Sequence, residues 1–232
     1  MAERSTTRIG AVALVLGLLM LLVAEPLHPS QEDPMDHQAV FAEYARSELW
    51  VAVHLGEYVA FLLVLGGLVA LSYATTTRPG PGVTWARFGV VVTMAAAASF
   101  TVLQAVDGIA LKRAVDAWVA APADQQNAAF AAAEAVRWIE MGVNAFSYSL
   151  LGLSLVLNGL ALALGSTYPR WLGGLAAAAG FVFVARGVLV AYRGFVASPL
   201  VLAAIGFFAV WALLMALFMW RDSGRSSGAA TE

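Results

Sequence analysis

Six apolar runs, separated by short polar segments, dominate the hydrophobic pattern of the chain. All but the first exceed the roughly 20 residues that an α-helix needs to cross the hydrocarbon core of a bilayer. The breaks between them are rich in Pro, Gly, Ser and Thr, which end helices or form turns. The runs cover residues 9–24, 49–74, 85–111, 138–164, 171–192 and 200–220.

This pattern predicts an all-α transmembrane bundle of six helices. We expect residues 1–221 to form a single transmembrane domain. Residues 222–232 are rich in Ser, Gly and Ala, and we expect them to form a disordered cytoplasmic tail.

Composition supports a multi-pass membrane protein and narrows its chemistry. The chain is 61% hydrophobic and only 12% charged, too apolar for a water-soluble domain of 232 residues. A net charge of -2 argues against nucleic acid as a partner. There are no cysteines, which excludes disulfides, thiolate metal sites and iron–sulfur clusters.

The first apolar run resembles a signal peptide, because Arg4 and Arg8 precede it. However, Glu25 and Pro26 follow Ala24 directly, with no small-x-small cleavage site. We therefore expect an uncleaved first transmembrane helix.

Arginine placement predicts the orientation in the plasma membrane. One side carries arginines near helix ends, namely Arg4, Arg8, Arg78, Arg87, Arg170, Arg221 and Arg225. The other side carries most of the acids, namely Glu25, Glu32, Asp33, Asp36, Glu43, Glu48, Asp116, Asp124 and Glu134. The positive-inside rule then places both termini in the cytoplasm. On the opposite side we expect a polar cap, because the second helix can start near Gln38, the third can run to Val119 and the fourth can start near Asp124.

Five ionisable side chains within or at the edge of the apolar runs are the main functional signal: His54, Glu57, Asp107, Glu140 and Arg186. A charge at membrane depth costs about 2.5 kcal/mol or more, so such groups normally face the bundle interior and pair with one another. Along ideal helices, His54, Asp107 and Asn144 each lie roughly 30 Å from the cytoplasmic ends of their segments. We therefore expect a shared polar cluster near the extracytoplasmic face, with Arg186 pairing with the acids.

The fourth helix carries a polar stripe with helical spacing: Glu140, Asn144, Ser147, Ser154 and Asn158. Two interpretations remain open, namely interhelical hydrogen bonding and one wall of a polar pocket or path. Together with polar positions on the second, third and fifth helices, the stripe predicts a polar core built from helices two to five. The first and sixth helices are expected to be lipid-facing supports.

Several functions fit this cluster. The first is a structural network of ion pairs that borders a small-molecule pocket. The expected partners are the lipid bilayer and, as a candidate ligand of the pocket, a small molecule or a lipid. The substrate-binding candidates are Asn144, Ser147, Arg186, Trp50 and Tyr58. A membrane-embedded enzyme acting on a lipid or small apolar substrate is an alternative, with acid–base candidates His54, Glu57, Asp107 and Glu140. A proton-linked transporter, which requires a continuous polar path down to Asn158, is the other alternative.

A metal site is a further hypothesis, although no cofactor is strongly implied. His54 and Glu57 lie three residues apart on one helix face, and Glu140 is a candidate third ligand. Asp107 offers another carboxylate, and His28 or His37 can fold in from the first outer loop.

Short motifs resemble a group of uncharacterised bacterial six-helix membrane proteins of unknown function. They are Arg8-Ile9-Gly10-Ala11, Leu27-His28-Pro29, Trp50-x-x-x-His54 and Tyr168-Pro169-Arg170-Trp171-Leu172-Gly173. The resemblance spans most of the chain and implies a six-helix topology. It implies no activity and no catalytic residues.

Overall fold

The computed structural model describes residues 2–77 and 79–225, so Met1, Arg78 and residues 226–232 lie outside it. Within these ranges the chain forms helices and no strands. The α-helices are α1 (Ala2–Ala24), α2 (His37–Arg46), α3 (Trp50–Thr76), α4 (Gly82–Ala105), α5 (Lys112–Ala120), α6 (Gln126–Leu164), α7 (Arg170–Arg193) and α8 (Pro199–Arg225). A 3-10 turn at Glu25–Leu27 follows α1, and a π-helical segment at Val106–Leu111 joins α4 to α5.

Six helices in the described ranges are long and apolar enough to cross a membrane. They are Arg4–Leu27, Trp50–Thr76, Gly82–Ala120, Gln126–Leu164, Arg170–Arg193 and Pro199–Asp222. The predicted all-α bundle with six spans is thereby confirmed. Helix α8 continues to Arg225, and the rest of the predicted tail lies outside the described residues.

The spanning helices form a closed ring in chain order. Each packs against its sequence neighbours, and α8 returns to pack against α1. The outward faces carry large exposed apolar side chains such as Ile9, Phe146, Phe181 and Leu202. In a bilayer these faces contact lipid, so the polar side chains of the spanning helices must find their partners inside the ring, beside its apolar core.

Glycines bring α6 and α7 into backbone contact. A Cβ atom added to Gly180 would lie 2.5 Å from the carbonyl oxygen of Gly152, and the reverse distance is the same. Gly159 and Gly173 form a second such pair along the same interface. Small residues at these crossings permit the close packing that stabilises helices in a membrane.

The lower part of the α6 polar stripe supplies interhelical hydrogen bonds. Ser147 Oγ lies 2.7 Å from Ser99 Oγ on α4, and Asn158 Oδ1 accepts a 2.7 Å bond from Ser72 on α3. The hydroxyl of Ser154 forms a hydrogen bond with the hydroxyl of Thr93 on α4. These stripe residues are buried between helices, which matches the hydrogen-bonding interpretation of this part of the stripe.

A helical cap closes one end of the ring, opposite the end that holds Ala2 and Arg225. It consists of α2, α5 and the first turns of α6, with a small core of its own that includes Phe41, Trp50 and Leu111. Helix α2 begins where the Asp36 side chain accepts a hydrogen bond from the backbone of Ala39. The cap therefore exists as predicted, except that the segment before the second span forms a separate helix, ending at Arg46, instead of an extension of α3.

Helices α1 and α8 differ from the expected role of lipid-facing supports. Leu14 of α1 and Trp211 and Met215 of α8 are fully buried. Both helices close the ring, so their inner faces belong to the core. Apolar side chains on an inner face and on a lipid-facing face look alike in sequence, and so the pattern did not distinguish them.

Candidate functional site

A cavity of about 150 Å³ lies in the centre of the ring, and every spanning helix contributes to its wall. Most of the wall is apolar and includes Leu18, Phe61, Leu103, Leu151, Phe183 and Phe208. The polar groups that face this central cavity are Glu25, Glu57, Gln104, Asp107, Asn144 and Tyr148. The carboxylates and amides among them lie on the cap side of their helices, and we refer to them as the polar end.

Glu57 and Gln104 form the middle of the polar end. Gln104 Nε2 donates a 3.2 Å hydrogen bond to Glu57 Oε2. Gln104 Oε1 is buried and accepts no hydrogen bond from any described residue. Glu25 is exposed and marks the side on which the cavity approaches the surface.

Glu140 is paired with Arg137, one helical turn earlier on α6. The Arg137 Nη1 to Glu140 Oε2 distance is 2.7 Å, and each side chain is only 3% exposed. The guanidinium also lies over the rings of Tyr44 and Phe195. Burial raises the pKa of Tyr44 well above its ordinary value, so the phenol beside Arg137 stays neutral.

Arg186 does not occupy the predicted position between the acids. Its Nη1 donates a 3.3 Å hydrogen bond to Asn144 Oδ1, and its guanidinium lies 3.6 Å from the centre of the Tyr148 ring. Helix α7 packs between α6 and α8, so Arg186 meets residues of α6. Within residues 2–77 and 79–225 it forms no ion pair with a carboxylate, whereas Arg137 does.

His54 and Asp107 meet where the first turns of α3 approach the π-helical segment. His54 Nε2 lies 3.3 Å from Asp107 Oδ2. Trp50 supports both residues, because its indole Nε1 donates to the Asp107 backbone carbonyl at 3.1 Å and its backbone carbonyl accepts from His54 Nδ1 at 2.7 Å. A Cβ at Gly108 would lie 2.5 Å from His54 Cβ, so this glycine permits the contact.

His28 completes this group from the loop after α1. Its ring centre lies 5.2 Å from that of His54 and 5.0 Å from that of Trp50. One ligand atom each from His28, His54 and Asp107 lies within 4.8 Å of the other two. We refer to these three residues as the triad, and they form the described group best placed to hold a metal ion.

The predicted candidates thus separate into three environments. Glu57, Asp107 and Asn144 line the central cavity, whereas His54 lies behind Asp107 and Glu140 is paired with Arg137.

The remaining candidates for substrate binding do not reach the cavity. Trp50 is 1% exposed and packs in the cap core, Ser147 is bonded to Ser99, and Tyr58 is half-buried and does not line the cavity. Of the metal candidates, His54 is grouped with His28 and Asp107 instead of with Glu57 and Glu140.

Two features escaped the sequence predictions. The pairing of Arg137 with Glu140 is visible in hindsight from their i,i+3 spacing on one helix. The π-helical segment, in which Asp107 contacts His54 and its carbonyl accepts a hydrogen bond from Trp50, has no comparable sequence signal. Such segments occur frequently at functional sites.

Comparisons with protein-family models, with curated proteins and with solved structures find no match for this chain. The resemblance to bacterial six-helix membrane proteins therefore stays a prediction.

Proposed function

We propose that this membrane protein binds a small amphipathic cation, such as a primary amine with an apolar tail, inside the ring of helices. The observation that carries the proposal is the division of the central cavity into an apolar wall and an acidic polar end. An apolar tail would lie against Phe61, Phe183 and Phe208, and the charged head would lie beside Glu57.

The charged side chains that line the cavity favour a ligand with a positive charge. Glu25, Glu57 and Asp107 all line the cavity, and no Lys or Arg is among its described lining residues. The two nearby guanidiniums already have partners, because Arg137 pairs with Glu140 and Arg186 is bonded to Asn144 and stacked on Tyr148. A cationic head therefore finds carboxylates with remaining capacity for hydrogen bonds, whereas an anionic head would meet like charge.

The other interpretations of the cluster receive less support from the geometry. A purely structural ion pair describes Arg137 and Glu140 well, but it leaves Glu57 facing a cavity. Transport requires a polar path beyond Leu151, and there Ser154 and Asn158 are bonded across helix interfaces and do not line the cavity.

The proposal is tested by equilibrium binding of radiolabelled hexylamine to the full chain in lipid nanodiscs, with protein-free nanodiscs as background. Hexanoate serves as the matched anion. We expect saturable binding of one hexylamine per chain and none of hexanoate. Glu57→Gln should weaken hexylamine binding about tenfold or more, since hydrogen bonds to charged groups contribute about 1.5–3 kcal/mol.

Glu48→Gln is the matched control, because Glu48 is an exposed acid outside the cavity wall. It should leave hexylamine binding unchanged. Equal saturable binding of hexanoate, or an unchanged affinity in Glu57→Gln, would overturn the proposal.

A further inference from the structure

The structure points to a metal site that goes beyond the proposed ligand: we propose that His28, His54 and Asp107 bind one zinc ion beside the central cavity. The three residues come from three separate parts of the chain, namely the loop after α1, the first turns of α3 and the π-helical segment. Two imidazoles and one carboxylate form a common donor set for zinc, with a fourth position left for water or a substrate.

The hydrogen bonds of the two histidines prepare them as ligands. His54 Nδ1 lies 2.7 Å from the carbonyl oxygen of Trp50, and His28 Nδ1 lies 2.9 Å from that of Pro29. A carbonyl oxygen only accepts, so both Nδ1 atoms carry the proton. In neutral imidazoles the lone pair is then on Nε2. Metal-binding histidines characteristically donate their other ring N–H to such an acceptor.

The distance between His54 and Asp107 fits two ligands of the same ion. Two atoms bound to a tetrahedral zinc at about 2.0–2.1 Å lie about 3.3–3.4 Å from each other. His54 Nε2 and Asp107 Oδ2 lie 3.3 Å apart. Their contact is within ion-pair distance but is not aligned as a hydrogen bond. Neither His54 Nε2 nor Asp107 Oδ1 has a hydrogen-bond partner among the described residues.

Burial makes these orphaned atoms informative. His54 is 2% exposed, and the Asp107 side chain is 14% exposed. Buried polar atoms without hydrogen bonds are costly. A bound cation would satisfy His54 Nε2, and it would satisfy Asp107 Oδ1 as well where the carboxylate binds through both of its oxygens. The remaining separations within the triad reach up to 4.8 Å. Because His28 lies on a loop, closing this gap requires a small shift of the loop and no movement of a helix.

His37 provides an internal comparison. Its Nδ1 lies 3.0 Å from Glu134 Oε1 in an aligned hydrogen bond, and the Glu134 side chain is 37% exposed. His37 belongs to no group of three ligand atoms in the described residues. The His37 and Glu134 pair is therefore an ordinary ion pair or hydrogen bond. His37 Nε2 is also buried without a hydrogen-bond partner among the described residues, so His37 is a matched control that lacks only the grouping with two further ligand atoms.

The site also has a definite relation to the cavity. Asp107 is at once a triad member and part of the cavity wall. A zinc ion held by the triad would lie at the polar end, next to Glu57. The two proposed sites share Asp107, but His28 and His54 do not line the cavity, so variants of these two histidines test the metal site separately from the amine site.

The test is zinc binding by the full chain, purified with a histidine-free tag, stripped with a chelator and dialysed against zinc at known concentrations. Metal content is measured by inductively coupled plasma mass spectrometry. We expect one zinc per chain for the unmodified protein and for His37→Ala, with equal affinity. His28→Ala, His54→Ala and Asp107→Asn should each bind at least tenfold more weakly.

His28→Ala keeps the test decisive if a substitution on α3 prevents folding, because His28 is a half-buried residue of the loop after α1 and lies outside the spanning helices. X-ray absorption of the zinc-loaded protein should show a zinc ion bound by two imidazole nitrogens, with oxygen atoms as its remaining ligands. Unchanged zinc affinity in His28→Ala, less than about a tenth of an equivalent bound, or equal losses in His37→Ala would overturn the site. Zinc binding that is lost in His28→Ala while hexylamine binding persists would separate this inference from the proposed function.

Discussion

Removing one member of the buried pair between Arg137 and Glu140 should destabilise the protein far more than removing both. The two groups lie 2.7 Å apart and are each 3% exposed. Glu140→Gln keeps the shape of the side chain and removes its charge, which leaves the guanidinium with the Pro34 carbonyl at 3.4 Å and aromatic faces. An uncompensated buried charge costs about 3–5 kcal/mol, so we expect a loss of that size for Glu140→Gln and for Arg137→Met.

The double variant should recover most of this loss, because neither charge is then left unpaired. The assay is reversible unfolding of the full chain in detergent and SDS mixtures, followed by tryptophan fluorescence, as a double-mutant cycle. Lys112 and Asp116 form the control pair at 2.6 Å, with the Asp116 side chain 45% exposed. Breaking that pair should cost less than about 1 kcal/mol. Additive losses for Arg137→Met and Glu140→Gln, or losses no larger than those of the control pair, would refute the reasoning.

Two predictions address the packing of the ring. Gly180→Ala should destabilise the protein by about 1–3 kcal/mol, because the new Cβ would meet the Gly152 carbonyl, whereas Gly174→Ala on the same helix meets open space. Asn158→Leu should cost about 0.6–1.7 kcal/mol by removing the hydrogen bond from Ser72. Both are measured by unfolding in the same detergent system.

The outcomes that contradict these two predictions are specific. Equal stability of Gly180→Ala and Gly174→Ala would show that α6 and α7 are not in backbone contact. An Asn158→Leu variant more stable than the unmodified protein would show that its hydrogen bond to Ser72 does not stabilise the ring.

The six-helix architecture was largely predictable, because apolar runs of membrane-crossing length in a chain of this composition have few stable structures other than transmembrane helices. Depth along the helices also indicated that His54 and Asp107 belong to one layer, and the structure brings them to 3.3 Å. The stripe on α6 was correctly assigned to the protein interior. Its spacing did not reveal that Asn144 lines a cavity while Ser147 and Asn158 join helices.

What the sequence did not reveal depends on three-dimensional details. Glu140 pairs with Arg137 one turn earlier on the same helix, whereas Arg186 on the neighbouring α7 meets Asn144 and Tyr148 instead, and hydrophobic periodicity does not decide between the two arginines. The junction of Asp107 with His54 depends on a π-helical segment and on Gly108, and neither can be recognised by hydrophobic periodicity. The contribution of α1 and α8 to the cavity was missed because it comes mainly from leucine, isoleucine and phenylalanine.

The most direct test of the central claim is a crystal structure of the protein with 6-bromohexylamine, with bromine located by anomalous scattering. Our account predicts one bromine peak between Phe61 and Phe208, with the amine beside Glu57, and loss of this peak in Glu57→Gln. Bromine found only in the outward groove of α1 and α8, lined by Ala11, Val15 and Trp220, would contradict it.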